Sequence, residues 1–158
     1  MIPIDMELFF QTYLEDNFNI TDKSGKPYFR YEYEPKYKLS IQTWYGEHAD
    51  EMIIYIYKVS AKFGFERGHN VIASISDIRD ITGSFHLTND WLTQKYIPKA
   101  ITQGYRYTFF VKPIDLFAAL ATEDVLDIMS GIEGLKEAKM FETRLDAYEY
   151  ARQVLQDN

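Results

Sequence analysis

The sequence predicts an α/β fold: a mixed sheet with an N-terminal antiparallel hairpin, followed by βαβα units. Three observations carry this. Two period-two runs flank Glu34-Pro35-Lys36. Two runs rich in β-branched and aromatic residues, at 71–75 and 105–111, are separated by a stretch of helical character. Beyond position 113, helical patterns enclose one short strand pattern.

Taken in order, residues 5–20 fit two templates. Met6, Phe9, Phe10, Tyr13 and Leu14 have helical spacing, while Leu8, Phe10, Thr12 and Leu14 alternate less cleanly. Because sheet follows, the segment reads as a strand or an irregular lead-in. Residues 22–27, DKSGKP, form a turn by composition. Phe29, Tyr31 and Tyr33 then alternate with Arg30, Glu32 and Glu34; Tyr37, Leu39, Ile41 and Thr43 alternate with Lys38, Ser40 and Gln42. Such alternation makes an antiparallel hairpin with one buried face. It ends at Trp44-Tyr45-Gly46, where glycine permits a sharp exit. Met52, Ile56, Val59 and Phe63 share one stripe of a helix over 47–63, closed by Gly64.

The central unit comes next. Residues 71–75, VIASI, carry no charge and suit a strand buried on both faces. A polar loop begins at Asp77. Thr88 or Asn89 caps the next helix, with Asp90 in its first turn. Trp91, Leu92, Ile97, Ala100 and Ile101 lie along one face. Pro98 removes a backbone donor and should kink or restart the helix. Gly104 fits the left-handed position past a helix end. The strand at 105–111 stops at Lys112-Pro113, since proline cannot donate to a sheet ladder. A helix bridging two buried strands makes them parallel.

Asp115 caps a further helix bearing Leu116, Phe117 and Leu120. Thr122, followed by Glu123 and Asp124, looks like a second helix start, continuing through Val125, Ile128 and Met129 to Gly131 and Gly134. A short strand fits 138–142. Thr143 caps a last helix, with Asp146 as a near match to a capping box, and Ala147, Ala151, Val154 and Leu155 form its buried stripe. No repeat, low-complexity tract or linker interrupts the chain, so 1–158 reads as a single domain.

Composition narrows the function. The net charge of -7 argues against nucleic acid and anionic membranes as partners. The absence of cysteine excludes disulfides, thiolate metal sites and thiol catalysis. No apolar run reaches transmembrane length, and MIPIDMELFF lacks the basic start and apolar core of a signal peptide. A cytoplasmic location is the expectation. The 13 tyrosines and 11 phenylalanines suit an aromatic-rich core and sheet.

Four local features accompany the element order. They are the Trp44-Tyr45-Gly46 strand exit, the strand end around Ser76-Asp77-Ile78-Arg79, the Trp91…Tyr96-Ile97-Pro98 helix leading to Gly104-Tyr105, and Phe141 followed by Leu145-Asp146-Ala147. Over residues 27–156 this pattern resembles the STAS domains related to SpoIIAA, the anti-sigma-factor antagonist, and within them a small bacterial STAS-like subgroup. The resemblance implies a SpoIIAA-like α/β sandwich. It also implies a non-enzymatic regulatory or binding module that takes a protein partner or a small apolar ligand. Phosphoswitch members carry an Asp-Ser-Ser-Gly-like motif after the central strand. Residues 82–88 here read TGSFHLT and lack it, so Ser84 and Thr88 serve more simply as loop and cap residues than as phosphorylation sites. Lys112-Pro113-Ile114-Asp115 echoes the lysine-proline turn of response-regulator receivers, with Asp77 as phosphoacceptor. Too few elements fit between Asp77 and Lys112 for that fold, and no early acidic pair is present to hold Mg²⁺.

The binding surface expected on this reading is the 77–88 loop with its adjoining helix: Asp77, Arg79, Ser84, His86 and Trp91, with Lys112 nearby. Asp77, Asp80, Asp90 and Asp115 could converge at the carboxyl ends of the parallel strands, where open α/β sheets bind ligands. Helix-start and loop-solvating roles account for all four, so no metal is expected. His48, His69 and His86 lack the spacing of a zinc helix. His86 as a general base with Asp77 and Asp115 gives the rival reading, a small hydrolase or isomerase, although no nucleophile or oxyanion motif accompanies it. Residues 64–68 lack the lysine and hydroxyl of a P-loop, and 131–134 follow a helix without opening one, so no cofactor is expected. Trp44, Phe85, Trp91, Tyr96 and Phe117 either line an apolar pocket or fill a core. Arg79 or Lys112 would orient an acidic headgroup there. A homodimer through the hairpin tyrosines is a further expectation. Two observations separate the readings: an enzyme needs His86 within reach of a carboxylate in an open cleft, and a binding module needs an exposed apolar patch or a lined cavity.

Overall fold

The strands expected near 71–75 and 105–111 are parallel neighbours. Residues 73–77 of β5 (Ala73–Thr82) pair in register with residues 107–111 of β6 (Tyr107–Val111). The computed structural model describes residues 8–14 and 16–156; residues 5–7 and 15 of the lead-in, and both ends of the chain, over which a single domain 1–158 was expected, lie outside them. Among the described residues, one seven-stranded sheet runs in chain order. Strands β1 (Leu8–Leu14), β2 (Asn17–Asp22), β3 (Pro27–Glu34) and β4 (Leu39–Glu47) form an antiparallel meander. From β4 onward, β5, β6 and β7 (Glu137–Phe141) are added in parallel. The sheet is mixed, as predicted, but its antiparallel part has four strands instead of two. The described part of the lead-in is strand, pairing β1 with β2 and β2 with β3; Asp22 turns the chain between β2 and β3, its side chain accepting from the backbone N–H of Ser24 (2.9 Å) and Lys26 (3.0 Å).

The two faces are covered unequally. Helices α1 (Asp50–Glu66), α2 (His86–Trp91), α3 (Ile97–Thr102) and α4 (Leu116–Met129) connect successive strands, and their apolar sides join one aromatic-rich core with Phe18, Phe29, Tyr31, Trp44 and Phe110. Helix α5 (Arg144–Gln156) covers the other face, where Leu39, Ile41, Ala73, Ile75, Phe109 and Val111 meet Ala147, Ala151 and Leu155. Strand β4 is therefore buried on both sides over most of its length. The expectation of one solvent-facing side fails there, because α1 stands above Ser40 and Gln42 where water was expected.

Several boundaries also differ. The polar loop predicted from Asp77 is strand as far as Thr82, which leaves only residues 83–85 between β5 and α2. The cause is a β-bulge: Thr43 pairs with Asp77 but Tyr45 with Asp80, so β5 carries one extra residue. The bulge breaks the period-two pattern, and Ile78 and Ile81 both enter the same core. Strand β4 does not exit at Gly46 but continues to Glu47, with glycine supplying a φ of 76°. Helix α1 passes through Gly64 to Glu66. Helix α2 starts at His86, so Thr88 lies inside it and is not its cap; its N–H (3.0 Å) and hydroxyl (2.5 Å) donate instead to Asp50. Between α2 and α3 the chain makes a π-helical turn (Leu92–Tyr96) just ahead of Pro98, the restart expected of a residue without an N–H. Helix α4 is continuous, and Thr122 donates to the Ala118 carbonyl (2.7 Å) without starting a second helix. Among the described residues, no helix is long and apolar enough to cross a membrane.

Candidate functional site

Alternation along β4, β5 and β6 sends every second residue toward α1 and α3. Part of that face, below Trp44 and Phe110, is polar where a core would be apolar. Ser40 pairs with Ser74 and Ser74 with Thr108, while Gln42 pairs with Ser76, and all five are buried. The result is a ladder of short hydroxyls across three strands. Ser76 donates to the Gln42 side chain (3.3 Å), and Ser74 is hydrogen-bonded to the hydroxyl of Tyr105. Above the ladder lies a cavity of about 150 Å³, roofed by Tyr57, Ser60 and Gly64 of α1 and by Tyr96, Ile97 and Ala100 around the start of α3. Exposed Phe65, Asn70 and Gln103 stand at its edge, toward the amino ends of β5 and β6.

Three features set the chemistry of this cavity. First, none of its described wall residues is lysine, arginine, aspartate or glutamate. Second, the Ser60 hydroxyl is buried without a hydrogen-bond partner; among the described side chains only Trp44 Nε1 shares that condition. Third, burial keeps the wall phenols protonated. It pushes the Tyr57 hydroxyl up to about 12 against a weaker opposing bond from Ser76, and raises Tyr31, Tyr96 and Tyr105 further. At neutral pH these are hydrogen-bonding groups and not charges.

One wall connects to the surface through a chain of three residues. The Tyr31 hydroxyl lies 3.0 Å from His69 Nδ1, and His69 Nε2 lies 2.7 Å from the carboxylate of Asp16. The imidazole stacks on Tyr33 with ring centroids 3.9 Å apart. Gly64 makes room for this arrangement, since a Cβ there would come within 3.3 Å of the Tyr31 oxygen. Sequence reasoning missed the group. Positions 16, 31 and 69 have no diagnostic spacing, and only the meander brings the three side chains together.

The residues singled out from the sequence do not form one site. Asp77 faces α5, where Arg144 bonds it (3.0 Å), Thr43 (2.8 Å) and Glu32 (3.0 Å) together. His86 is exposed at the start of α2, over the opposite face, and no described carboxylate is hydrogen-bonded to it. Asp115 caps α4 through the Ala118 N–H (2.9 Å) and also accepts from the Gly83 N–H (3.2 Å). The Asp77–His86–Asp115 grouping of the hydrolase or isomerase reading is not assembled. Arg79, Ser84, Asp80 and Asp90 are exposed, and Lys112 lies 3.8 Å from Glu142. Trp91 packs on Tyr96 and Tyr57, with Lys58 over its ring. Trp44 and Phe85 border a second, smaller void of about 30 Å³. Phe117 faces outward instead. His48 is buried between the carbonyls of Tyr28 and Gly46, and burial holds its imidazole below the ordinary range. Among the described residues, no group of three or more metal-ligating side chains is gathered.

No family model and no curated protein matches the chain. Among solved structures, it is similar to an uncharacterised protein of the DUF3478 family with a SpoIIAA-like fold from Shewanella loihica PV-4. The identity is 13% and the TM-score 0.44, over 92% of this chain and 93% of that one. The α/β class itself rests on strand order and pairing, and the chemistry of the site rests on its own residues.

Proposed function

We propose that this chain is a non-catalytic, STAS-like binding module whose ligand is a small neutral molecule held in the cavity between the sheet and α1–α3. One observation carries the reading: Ser60 Oγ is buried and unpartnered on the wall of a cavity that sets the hydroxyls of the sheet and of four tyrosines among apolar side chains. An unsatisfied buried hydroxyl costs about 1–3 kcal/mol, which a ligand bonding to it recovers. The volume suits a molecule near the size of benzene, which an apolar cavity of about 150 Å³ accepts. This moves the ligand away from the 77–88 surface and makes it polar instead of apolar. Native mass spectrometry of the purified protein tests the reading and reports the subunit count as well. A retained small molecule, lost in the cavity-filling Ser60→Phe variant, is the expected result. If nothing is retained and added phenol is not taken up, the reading falls.

A second reading, a protein partner, is favoured by the outer face of α4. Ile114, Leu116 and Phe117 are 73%, 67% and 67% exposed there, with Leu120 beside them. Acidic Glu123, Asp124 and Asp127 follow along the same helix. Ile114 and Asp115 bond to Arg79 and Gly83, so this face adjoins the end of β5. A partner with an apolar centre and a basic rim would match it. Phe117→Ser should then abolish binding of such a partner while leaving the thermal midpoint unchanged. Binding that survives the substitution removes this reading.

A further inference from the structure

We propose, resting on the cavity reading above, that Asp16, His69 and Tyr31 make one wall of the cavity a hydrogen-bond acceptor, so that its ligand is a neutral molecule presenting an O–H or N–H donor, of the phenol class. The argument is a count of protons. An ionised carboxylate only accepts, and a neutral imidazole has one donor and one acceptor nitrogen. With Asp16 at 2.7 Å, the donor must be His69 Nε2. Nδ1 is then a bare lone pair, and the Tyr31 hydroxyl, 3.0 Å away, donates to it. A phenol has a single proton. Once it is committed to His69, the Tyr31 oxygen can only accept from whatever occupies the cavity.

The geometry protects this polarity. The His69 side chain is 2% exposed and is clamped by the Tyr33 ring, so the imidazole cannot turn over freely. The lack of a side chain at Gly64 keeps space beside the Tyr31 oxygen. Ser60, which can donate or accept, offers a second bond from α1. A charged ligand would meet no opposite charge on the described wall and would lose its hydration uncompensated.

Calorimetry with the full chain at about pH 8, where free imidazole is neutral, tests the assignment. The probes are phenol, which donates, and cyclohexanone, which only accepts. The wild type should bind phenol more tightly than cyclohexanone. Tyr31→Phe should weaken phenol about tenfold and leave cyclohexanone unchanged. In Asp16→Asn the carboxamide either donates to Nε2 or accepts from it, so both tautomers are allowed and the advantage of phenol should shrink. Asp16 is partly exposed and its loss does not open the core, so this variant stays informative even if Tyr31→Phe folds poorly. Phenol affinity unchanged in Tyr31→Phe, or an unchanged preference in Asp16→Asn, overturns the acceptor assignment and leaves the cavity reading standing. If neither solute binds the wild type and native mass spectrometry finds no retained molecule, both fall.

Discussion

At the scale of single residues, polar side chains separated widely in sequence do most of the specifying. Arg144 at the start of α5 bridges Asp77 of β5 and Glu32 of β3, and Glu32 also meets Arg30 at 3.2 Å. The guanidinium fork suits two carboxylates at once, and the Asp77 side chain is only 13% exposed. Arg144→Met should cost about 1–2 kcal/mol in urea unfolding, and adding Asp77→Asn should return part of it. An unchanged midpoint in the single variant would show the bridge to be incidental. Asp77 was legible in the sequence as noteworthy, but not its role. Its partner lies far along the chain, on a helix whose buried stripe is readable but whose place on the sheet is not. Asp16, Tyr31 and His69 are likewise far apart in sequence.

At the scale of elements, the Asp115 cap and the Pro98 break were readable, while the Thr88 cap, the Gly64 helix end and the irregular strands were not. Asp115 was recognised as a cap from residue type and position, and it does accept from the third backbone N–H of α4. Asp115→Ala should destabilise the chain by about 1–2 kcal/mol, more than an isolated cap, because the Gly83 N–H loses its acceptor too. Asp115→Asn should keep most of the stability; equal losses in both variants would rule out the capping account. Gly134 is a second element-scale position. It has a φ of 92°, and a Cβ there would meet Ile101 Cγ2 at 2.7 Å. Gly134→Ala should therefore cost about 1–3 kcal/mol, read from the thermal midpoint. By contrast, the bulge in β5 hid half of that strand, since one inserted residue reverses which side chains face the core.

At the scale of the whole molecule, the buried phenols link stability to pH. An unfolded tyrosine ionises near pH 10, while burial pushes Tyr28 and Tyr57 up to about 12 and raises Tyr31, Tyr96 and Tyr105 beyond that. Between these limits the unfolded chain has released protons that the folded chain retains. Stability is therefore fully present below about pH 10 and falls as pH rises toward 12. Urea unfolding at about pH 9 and pH 11 should show the drop, with tyrosinate absorbance rising as the fold is lost. Equal stability at the two pH values would mean that the phenols are not shielded.

The amino-acid sequence alone determined the α/β class, the alternation of strand and helix from β3 onward, the parallel pair at the centre and the absence of any thiol chemistry. Each of these depends on local period, on breakers or on composition, which a chain carries with it. The tertiary structure decided the rest: which polar residues are buried, where the cavity lies, and which acid meets which base. Alternation tells that Ser40, Gln42, Ser74 and Ser76 share a face, but water and a helix are equally consistent with that face until α1 packs over it.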